Sequence, residues 1–570
     1  MTHAIIQDAR AIVGDKHVLT DPAKTAKYCK GFRFGIGSAL AVIQPGSLLE
    51  MWQIAKACVA HDVIILAQAA NTGLTGGSTP FGDYDRPLVI LSTVRLKGIQ
   101  LINDAKQAIA LPGASLFELE DVLEAHGREP HSVIGSSCIG ASIVGGICNN
   151  SGGALVRRGP AYTEMALYAQ LDEHGELKLY NHLGLDLGDD PEVILQRLEQ
   201  GDYRAEDVQQ LAKKASDADY GARVRDVDAD TPSRFNNDGR RLYEASGSAG
   251  RLLVFAVRID TFSKPPREQV LYIGTNDTTH LTDIRRHILQ HFDELPVSGE
   301  YLHRDYFNVS ERYGRDTFLV IDKLGTKYIP RFFAMKNAVD RFCGKFTFMP
   351  KYISDRVMQW TTDILPSHLP KIMREYRDRY EHHLILKMAD DGIDQAKAFL
   401  DDYFKDREGG YHACTNKEGD AAILHRFAAA GAAKRFHAMK HKKVGAILAL
   451  DIALRRNEEQ WFETLPEEID ALVEDKLYCG HFFCHVMHQD YILKKGVDAE
   501  QLKDQLLAFF DARGAQYPAE HNVGHLYYAK ADLKAFYKHN DPTNSLNPGI
   551  GKTAKLKYWA DEVVAQVDEH

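Results

Sequence analysis

From Ser132 to Val156 the chain has no charged side chain, yet six glycines and a run of Ser and Asn interrupt its apolar residues. About twenty apolar residues suffice to cross a bilayer, but Gly, Ser and Asn at this density do not make a membrane helix. Glycine has no Cβ and adopts positive φ at little cost, so such a segment lets backbone N–H groups close on an anion. The expectation is a buried surface paved for a large phosphorylated ligand. A second segment agrees. Ile64–Gln68 reads as an apolar strand entering Ala69-Ala70-Asn71-Thr72-Gly73-Leu74-Thr75-Gly76-Gly77-Ser78, a loop able to present successive amides to a pyrophosphate. Neither segment is a Rossmann fingerprint or a Walker loop. Either alone reads most simply as a structural turn; together they read as two parts of one binding surface.

At 570 residues the chain predicts several domains. A net charge of −10 argues against nucleic acid as a partner of the whole protein. Eight cysteines are scattered without a paired framework, which points to a reducing compartment. The N-terminal residues read as an amphipathic helix rather than a signal peptide, and no sustained hydrophobic span follows. Strands alternate with helices through residue 126, and a hairpin signal surrounds Asp172-Glu173-His174-Gly175. A strand at 252–257 closes an α+β unit before Lys264-Pro265-Pro266-Arg267, which reads as a domain boundary. A second α+β unit opens with a strand at 269–274 and a helix at 282–292.

From about residue 304 the composition changes. Lys323 to Arg379 holds twelve Lys or Arg against five Asp or Glu, interleaved with aromatics that include Phe332, Phe333, Phe342, Phe346, Phe348, Tyr352 and Trp360. The Ala-rich helix candidate 421–443 adds Arg426, Lys434, Arg435, Lys440, Lys442 and Lys443. Basic residues with exposed rings suit an anionic lipid surface, at about 1 kcal/mol per basic residue. A solvated helical face explains the same composition equally well.

Three histidines, His481, His485 and His488, sit in an apolar, strand-like context, and Glu520-His521 follows. A single histidine of this kind is most often a core residue, but the cluster is not so easily explained. Neutral imidazoles with a carboxylate suit Zn²⁺ or Mn²⁺ and leave a coordination position open for substrate. A histidine beside a carboxylate also serves as a base near neutral pH. Cys479 and Cys484 have the wrong spacing for a structural zinc pair.

The 68–75 loop, the 131–153 stretch and the ending Asn547-Pro548-Gly549-Ile550-Gly551-Lys552 resemble the vanillyl-alcohol-oxidase, or PCMH-type, FAD flavoproteins. Within them, the blocks at 128–137, 424–431 and 517–525 resemble the bacterial respiratory, quinone-dependent D-lactate dehydrogenases, over about Leu19 to Lys552. The resemblance implies an α+β fold with a PCMH-type FAD-binding domain, an α+β cap domain and a basic helical membrane-docking segment. The FAD domain would span 1–262, completed by 513–570. The cap would take 263–303, 380–418 and 444–512, and the docking segment 304–379 and 419–443.

It further implies non-covalent FAD held at Ala69, Ala70, Asn71, Thr72, Gly73, Gly77, Ser78, Gly135, Ser142, Gly152 and Val254. Related 2-hydroxyacid dehydrogenases carry two histidines seven apart and a later Glu-His. The match here implies His481, His488 and Glu520 as ligands of a divalent metal and His521 as base. The sequence departs from that pattern at Phe482-Phe483-Cys484-His485 and at Ala519. Arg426 is the candidate for the substrate carboxylate, because a guanidinium is a planar bidentate donor. The implied reaction is oxidation of D-lactate to pyruvate by hydride transfer to flavin. Electrons would pass to membrane quinone, on an anionic phospholipid surface at the cytoplasmic face of the inner membrane. The rivals are a flavin dehydrogenase of another D-2-hydroxyacid, such as 2-hydroxyglutarate or 2-hydroxybutyrate, a metal-dependent hydrolase, and a lipid-binding scaffold.

Overall fold

The computed structural model describes residues 2–131, 140–325, 328–343, 353–364 and 367–561. Gly135, Phe346, Phe348 and Tyr352 lie outside the described residues. The architecture is α+β, with three sheets and the helices packed on them.

The first sheet joins β1 (Val18–Leu19), β2 (Ala41–Ile43), β3 (Ile64–Gln68) and β4 (Leu88–Ser92) in the order β1-β2-β4-β3. Its last three strands are parallel and therefore need a crossover. The helix Leu48–Ala60 supplies the one between β2 and β3. Ser47 starts it, its Oγ accepting from the Glu50 amide at 3.1 Å. The second sheet contains β5 (Ile99–Ile102), β6 (Gln107–Ala110), β7 (Arg128–Pro130), β8 (Ala166–Leu171), β9 (Leu177–Asn181) and β10 (Leu253–Ser263). It runs β5-β6-β10-β8-β9, antiparallel, with β7 also on β10. The C-terminal part of the chain returns to the first sheet: Ile65 N donates to Ser545 O and Asn547 N to Ile65 O, both at 3.0 Å.

The third sheet has seven strands: β11 (Glu268–Thr275), β12 (Ser298–His303), β13 (His382–Ala389), β14 (Gly410–Ala413), β15 (Val444–Ala453), β16 (Val473–His481) and β17 (Val486–Lys494). Their order is β14-β11-β13-β12-β16-β17-β15, all antiparallel. Alternate side chains point to opposite faces. One face, with Leu271, Leu384, Tyr301, Tyr491 and Ile452, is buried with Leu281, Ile284 and Ile288 of the helix Thr278–His291. The other carries Tyr272, Ile385, Leu302, Cys479 and Ile492. It is covered by Tyr306 and Phe307 of the helix Arg304–Tyr313 and by Ala422, Ala429 and Ala433 of Asn416–Lys440.

Asn416–Lys440 is one continuous helix, opened by a Thr415/Glu418 capping box. It crosses the expected domain boundary at 418/419 without a break. Its basic residues do not form a single outward face. Arg426 faces Glu300 on β12, Arg435 is buried between Asp316 and Asp355, and Lys434 Nζ lies 4.7 Å from the centre of the Phe32 ring. Of the basic residues in 421–443, Lys434, Lys442 and Lys443 are exposed and Lys440 is half-buried.

Candidate functional site

The period-two rule places four polar side chains on the helix-covered face of the third sheet. Glu300 shares that face with Leu302, His481 with Cys479, His488 with Ile492, and Asp451 lies opposite to Leu450 and Ile452. Register then brings them together. Glu300 is the direct cross-strand partner of His481, and Asp451 of His488. The face is apolar at one end and acidic and imidazole-rich at the other.

The segment Tyr517–His525 closes over the polar end. It is fastened to the 69–78 loop: Thr75 Oγ1 donates to Asn522 O at 2.7 Å, His525 N to Thr75 O at 3.0 Å, and His525 Nε2 meets Thr79 O at 2.9 Å. Gly524 has φ +56 and lies so close to Thr75 that a Cβ would stand 2.1 Å from its carbonyl oxygen. On its other side the segment holds Asp451, whose Oδ2 accepts from the Glu520 amide at 2.8 Å and meets His521 Nδ1 at 2.6 Å. Gly152 N donates to Glu520 O at 3.3 Å, and a Cβ on Gly152 would lie 2.6 Å from Glu520 Oε1. His521 therefore sits where the two glycine loops, the C-terminal segment and the third sheet meet.

Glu520 Oε2 faces His481 Nε2 at 3.1 Å and His488 Nε2 at 3.5 Å, while Arg234 donates to its other oxygen and to Gly153 O. The far nitrogens also meet carboxylates: His481 Nδ1 with Glu300 at 2.6 Å, His488 Nδ1 with Asp451 at 3.5 Å. Burial would depress the His481 pKa, but Glu300 and Glu520 outweigh it and raise it to about 10. Burial likewise opposes ionisation of Glu520, yet His481 and Arg234 hold its carboxyl well below the usual range. His521 is raised by Asp451 against burial. Arg426 Nε lies 3.2 Å from Glu300 Oε2, and among the described residues that nitrogen makes no hydrogen bond.

The three expected metal ligands thus converge, their donor atoms within 4.8 Å of one another. Imidazoles whose second nitrogen meets a carboxylate are the usual outer arrangement of a metal-bound histidine, so the donor set fits a divalent ion. His485 is elsewhere: its Nδ1 meets Arg455 O at 2.9 Å and its ring is buried beside Phe482. Phe482, Phe483 and Cys484 pack into the core of the opposite face, which accounts for an apolar turn at that place. Sequence reading missed Glu300, Asp451 and Arg234. A single carboxylate inside an otherwise apolar strand was the available signal for the first two.

Of the described cofactor candidates, Ala69 to Gly73, Gly77 and Ser78 lie in the loop after β3, whereas Ser142 caps the helix Ile143–Cys148, Gly152 follows that helix and Val254 is on β10. Ala69 to Gly73 make a half-open loop in which Ala70 and Gly73 are exposed. A Cβ on Gly73, or on Gly140 at φ +92, would meet nothing within 4 Å among the described residues. Ser92 Oγ, buried at the end of β4 beside Gln68, has no partner among the described residues. Open backbone and an unpartnered hydroxyl fit a bound phosphorylated cofactor. Two side chains serve the loops themselves. Asn71 donates to Lys30 O at 3.0 Å and accepts from Ser78 Oγ at 3.1 Å, and Ser142 Oγ caps the helix Ile143–Cys148 through Gly145 N at 3.0 Å. Gly77 O accepts from Asn547 at 2.9 Å, and Val254 lies at a β-bulge within the apolar cluster under β10.

Comparison with known proteins follows these landmarks. A family model described as "D-lactate dehydrogenase, membrane binding" matches residues 270–559, and one described as "FAD binding domain" matches 39–173. The chain is 58% identical to the quinone-dependent D-lactate dehydrogenase of Escherichia coli over 559 residues, 98% of each chain. It is 58% identical to that of Haemophilus influenzae, covering 96% of this chain and 98% of the other. For Corynebacterium glutamicum the identity is 46%, with 98% of each covered. Among solved structures, p-cresol methylhydroxylase with substrate bound superimposes with a TM-score of 0.58 at 14% identity, covering 97% of this chain and 96% of that one. A 4-ethylphenol oxidase from Gulosibacter chungangensis, in complex with isoeugenol, gives 0.58 at 13%, covering 96% of each.

Proposed function

The chain belongs to the quinone-dependent D-lactate dehydrogenase family, and from that premise we infer that it oxidises D-lactate to pyruvate on FAD and passes the electrons to quinone. The observation that carries this is the meeting of the cofactor cradle and the histidine–carboxylate cluster at the Tyr517–His525 segment.

The division of labour follows from the contacts. The amides of Ala69 to Gly73, with Gly77, Ser78, Ser142, Gly152 and Val254, line the FAD cradle, and contact is non-covalent. When bound, FAD supplies the two-electron acceptor for the substrate Cα–H. His521 is the base. Its Nδ1 is held by Asp451, which leaves Nε2 to take the hydroxyl proton. Asp451 is a positioning residue that fixes the ring and its tautomer. Arg426 binds the substrate carboxylate through the planar N–H groups not engaged by Glu300. His481, His488 and Glu520 would hold a divalent cation, oriented by Glu300 and Asp451. Such an ion would lower the pKa of the substrate hydroxyl.

The membrane reading rests on two helices of the 304–379 segment. On Ile329–Cys343, Met335, Val339 and Phe342 are exposed at helical spacing. Val357 and Trp360 continue the pattern on Ile353–Asp363, with Ile364 just beyond, and Trp360 is 68% exposed. Exposed apolar stripes flanked by Lys and Arg suit insertion at an anionic headgroup layer. No helix among the described residues is long and apolar enough to cross a membrane. The reading is of a peripheral protein on the cytoplasmic face of the inner membrane, supported as to membrane contact by the match to a membrane-binding family model.

The deciding experiment is the absorption spectrum of the purified protein before and after anaerobic D-lactate. A flavin spectrum that bleaches supports the assignment; protein that binds no flavin overturns it. Faster bleaching by 2-hydroxyglutarate or 2-hydroxybutyrate would reassign the substrate.

A further inference from the structure

Beyond Glu300 and Arg426, the same face of the third sheet holds a second group of histidines that the reaction above does not use. His383 lies on β13 directly opposite Leu302, His425 precedes Arg426, and His368 stands in the connection that precedes the helix Lys371–Arg379. Their rings follow one another through aromatic contacts. Phe307 is 5.5 Å from His383 and 4.3 Å from His425, His425 is 6.4 Å from His368, and His368 is 4.4 Å from Phe318. Tyr272 completes the group, 5.8 Å from His383.

His383 and His425 are fully buried, yet among the described residues neither nitrogen of either ring, nor of His368, has a hydrogen-bond partner. The Tyr272 hydroxyl has none either. The Tyr380 and Phe307 carbonyls lie near His383 and His425 but outside hydrogen-bonding geometry. A buried polar group left unpaired costs about 1–3 kcal/mol, and native folds rarely gather several in one place without a ligand or water to meet them. Here they gather between the catalytic face and the helices that carry the exposed apolar stripes.

We propose that this histidine-lined apolar layer is the site of the quinone headgroup, with His383, His425 and His368 meeting its oxygens and Phe307, Phe318 and Tyr272 flanking its ring. The proposal rests on the quinone-linked reading above. Burial keeps the three imidazoles neutral at physiological pH: it lowers His383 to about 3 and His368 to about 4, and holds His425 well below the usual histidine range. A neutral imidazole has one N–H donor and one bare acceptor nitrogen. It can donate to a quinone carbonyl and accept from the hydroxyl of the quinol, so both redox states are bound without a change in the protein's charge. The balance closes: the hydride and proton that leave D-lactate reach the acceptor as two electrons and two protons, and both carbonyl oxygens become hydroxyls.

The test uses the flavin-loaded enzyme with His383→Leu and, separately, His368→Leu, read in two assays. Replacing an unpartnered buried polar group by an apolar one is near neutral for folding, so both variants are expected to fold. Anaerobic bleaching of the flavin by D-lactate should stay within about twofold of wild type, while the KM for a short-chain ubiquinone rises about five- to tenfold, the worth of one hydrogen bond. His383→Gln, which keeps a donor, should recover part of the loss. An unchanged ubiquinone KM in both Leu variants overturns the proposal. Failure of wild-type flavin to bleach would instead overturn the enzymatic assignment beneath it. Should His383→Leu lose its flavin, His368→Leu, at a half-buried position, decides alone.

Discussion

Asp451→Asn is the sharpest test of the catalytic assignment. Asp451 Oδ2 meets the His521 ring at 2.6 Å and the Glu520 amide at 2.8 Å. Asparagine keeps one oxygen acceptor, enough for the amide, but loses the charge that holds the imidazole. One charge-assisted bond contributes about 1.5–3 kcal/mol, which at about 1.4 kcal/mol per decade is roughly a 10- to 150-fold slower flavin reduction. A base works only when unprotonated, so the wild-type rate should fall as pH drops through the raised pKa of His521. Without Asp451 the main raising influence is gone, Glu520 supplies the lesser one that remains, and burial still lowers that pKa. The acid limb should therefore move to lower pH even as the plateau falls, and the deficit should shrink towards low pH. Stopped-flow bleaching by D-lactate across pH reads both. A variant with a lower plateau and an unmoved acid limb would show that Asp451 supports the fold and not the base.

Gly152→Ala places a methyl group 2.6 Å from Glu520 Oε1; at about 1–3 kcal/mol for overpacking it should lower flavin retention, read as flavin per polypeptide after gel filtration. Arg426→Lys keeps the charge opposite Glu300 but not the fork, so the KM for D-lactate should rise about tenfold with the pH profile in place; an unchanged KM removes Arg426 from substrate binding. Paired Phe342→Ser and Trp360→Ser substitutions each forfeit about 1.5–3 kcal/mol of apolar burial, so binding to anionic vesicles should fall at least a hundredfold, with dye-linked activity intact. Elemental analysis should find one divalent ion per chain, lost on combined His481→Ala and His488→Ala substitution; full lactate-driven bleaching by metal-free wild-type protein would refute a catalytic ion.

What could be read in advance divides along a physical line. The 69–78 loop and the His481/His488/Glu520 group were legible because glycines and histidines were dense over short stretches, and density is visible without three-dimensional knowledge. Glu300 and Asp451 were not, because each is a single carboxylate in an apolar strand. Each gains meaning only when β12 pairs with β16 and β15 with β17, a pairing that no local pattern encodes. The helix Asn416–Lys440 misled for a related reason. Its alanines pack against its neighbours on several sides, so Arg426 and Arg435 turn inward where composition suggested an outward basic face. The short helix Ile143–Cys148 was hidden by Gly145-Gly146, poor helix formers that Ser142 nonetheless caps.

The fastening of Tyr517–His525 to Thr75, and of Leu546 to Ile65, ties the chemistry to the order in which the polypeptide is made. The loop around Thr75 is made well before its clasp at Asn522, which lies 447 residues further along the chain. A nascent chain can build most of its core and still lack any competence to draw electrons from its substrate. The proposed site is complete only once the two far-separated stretches have found each other.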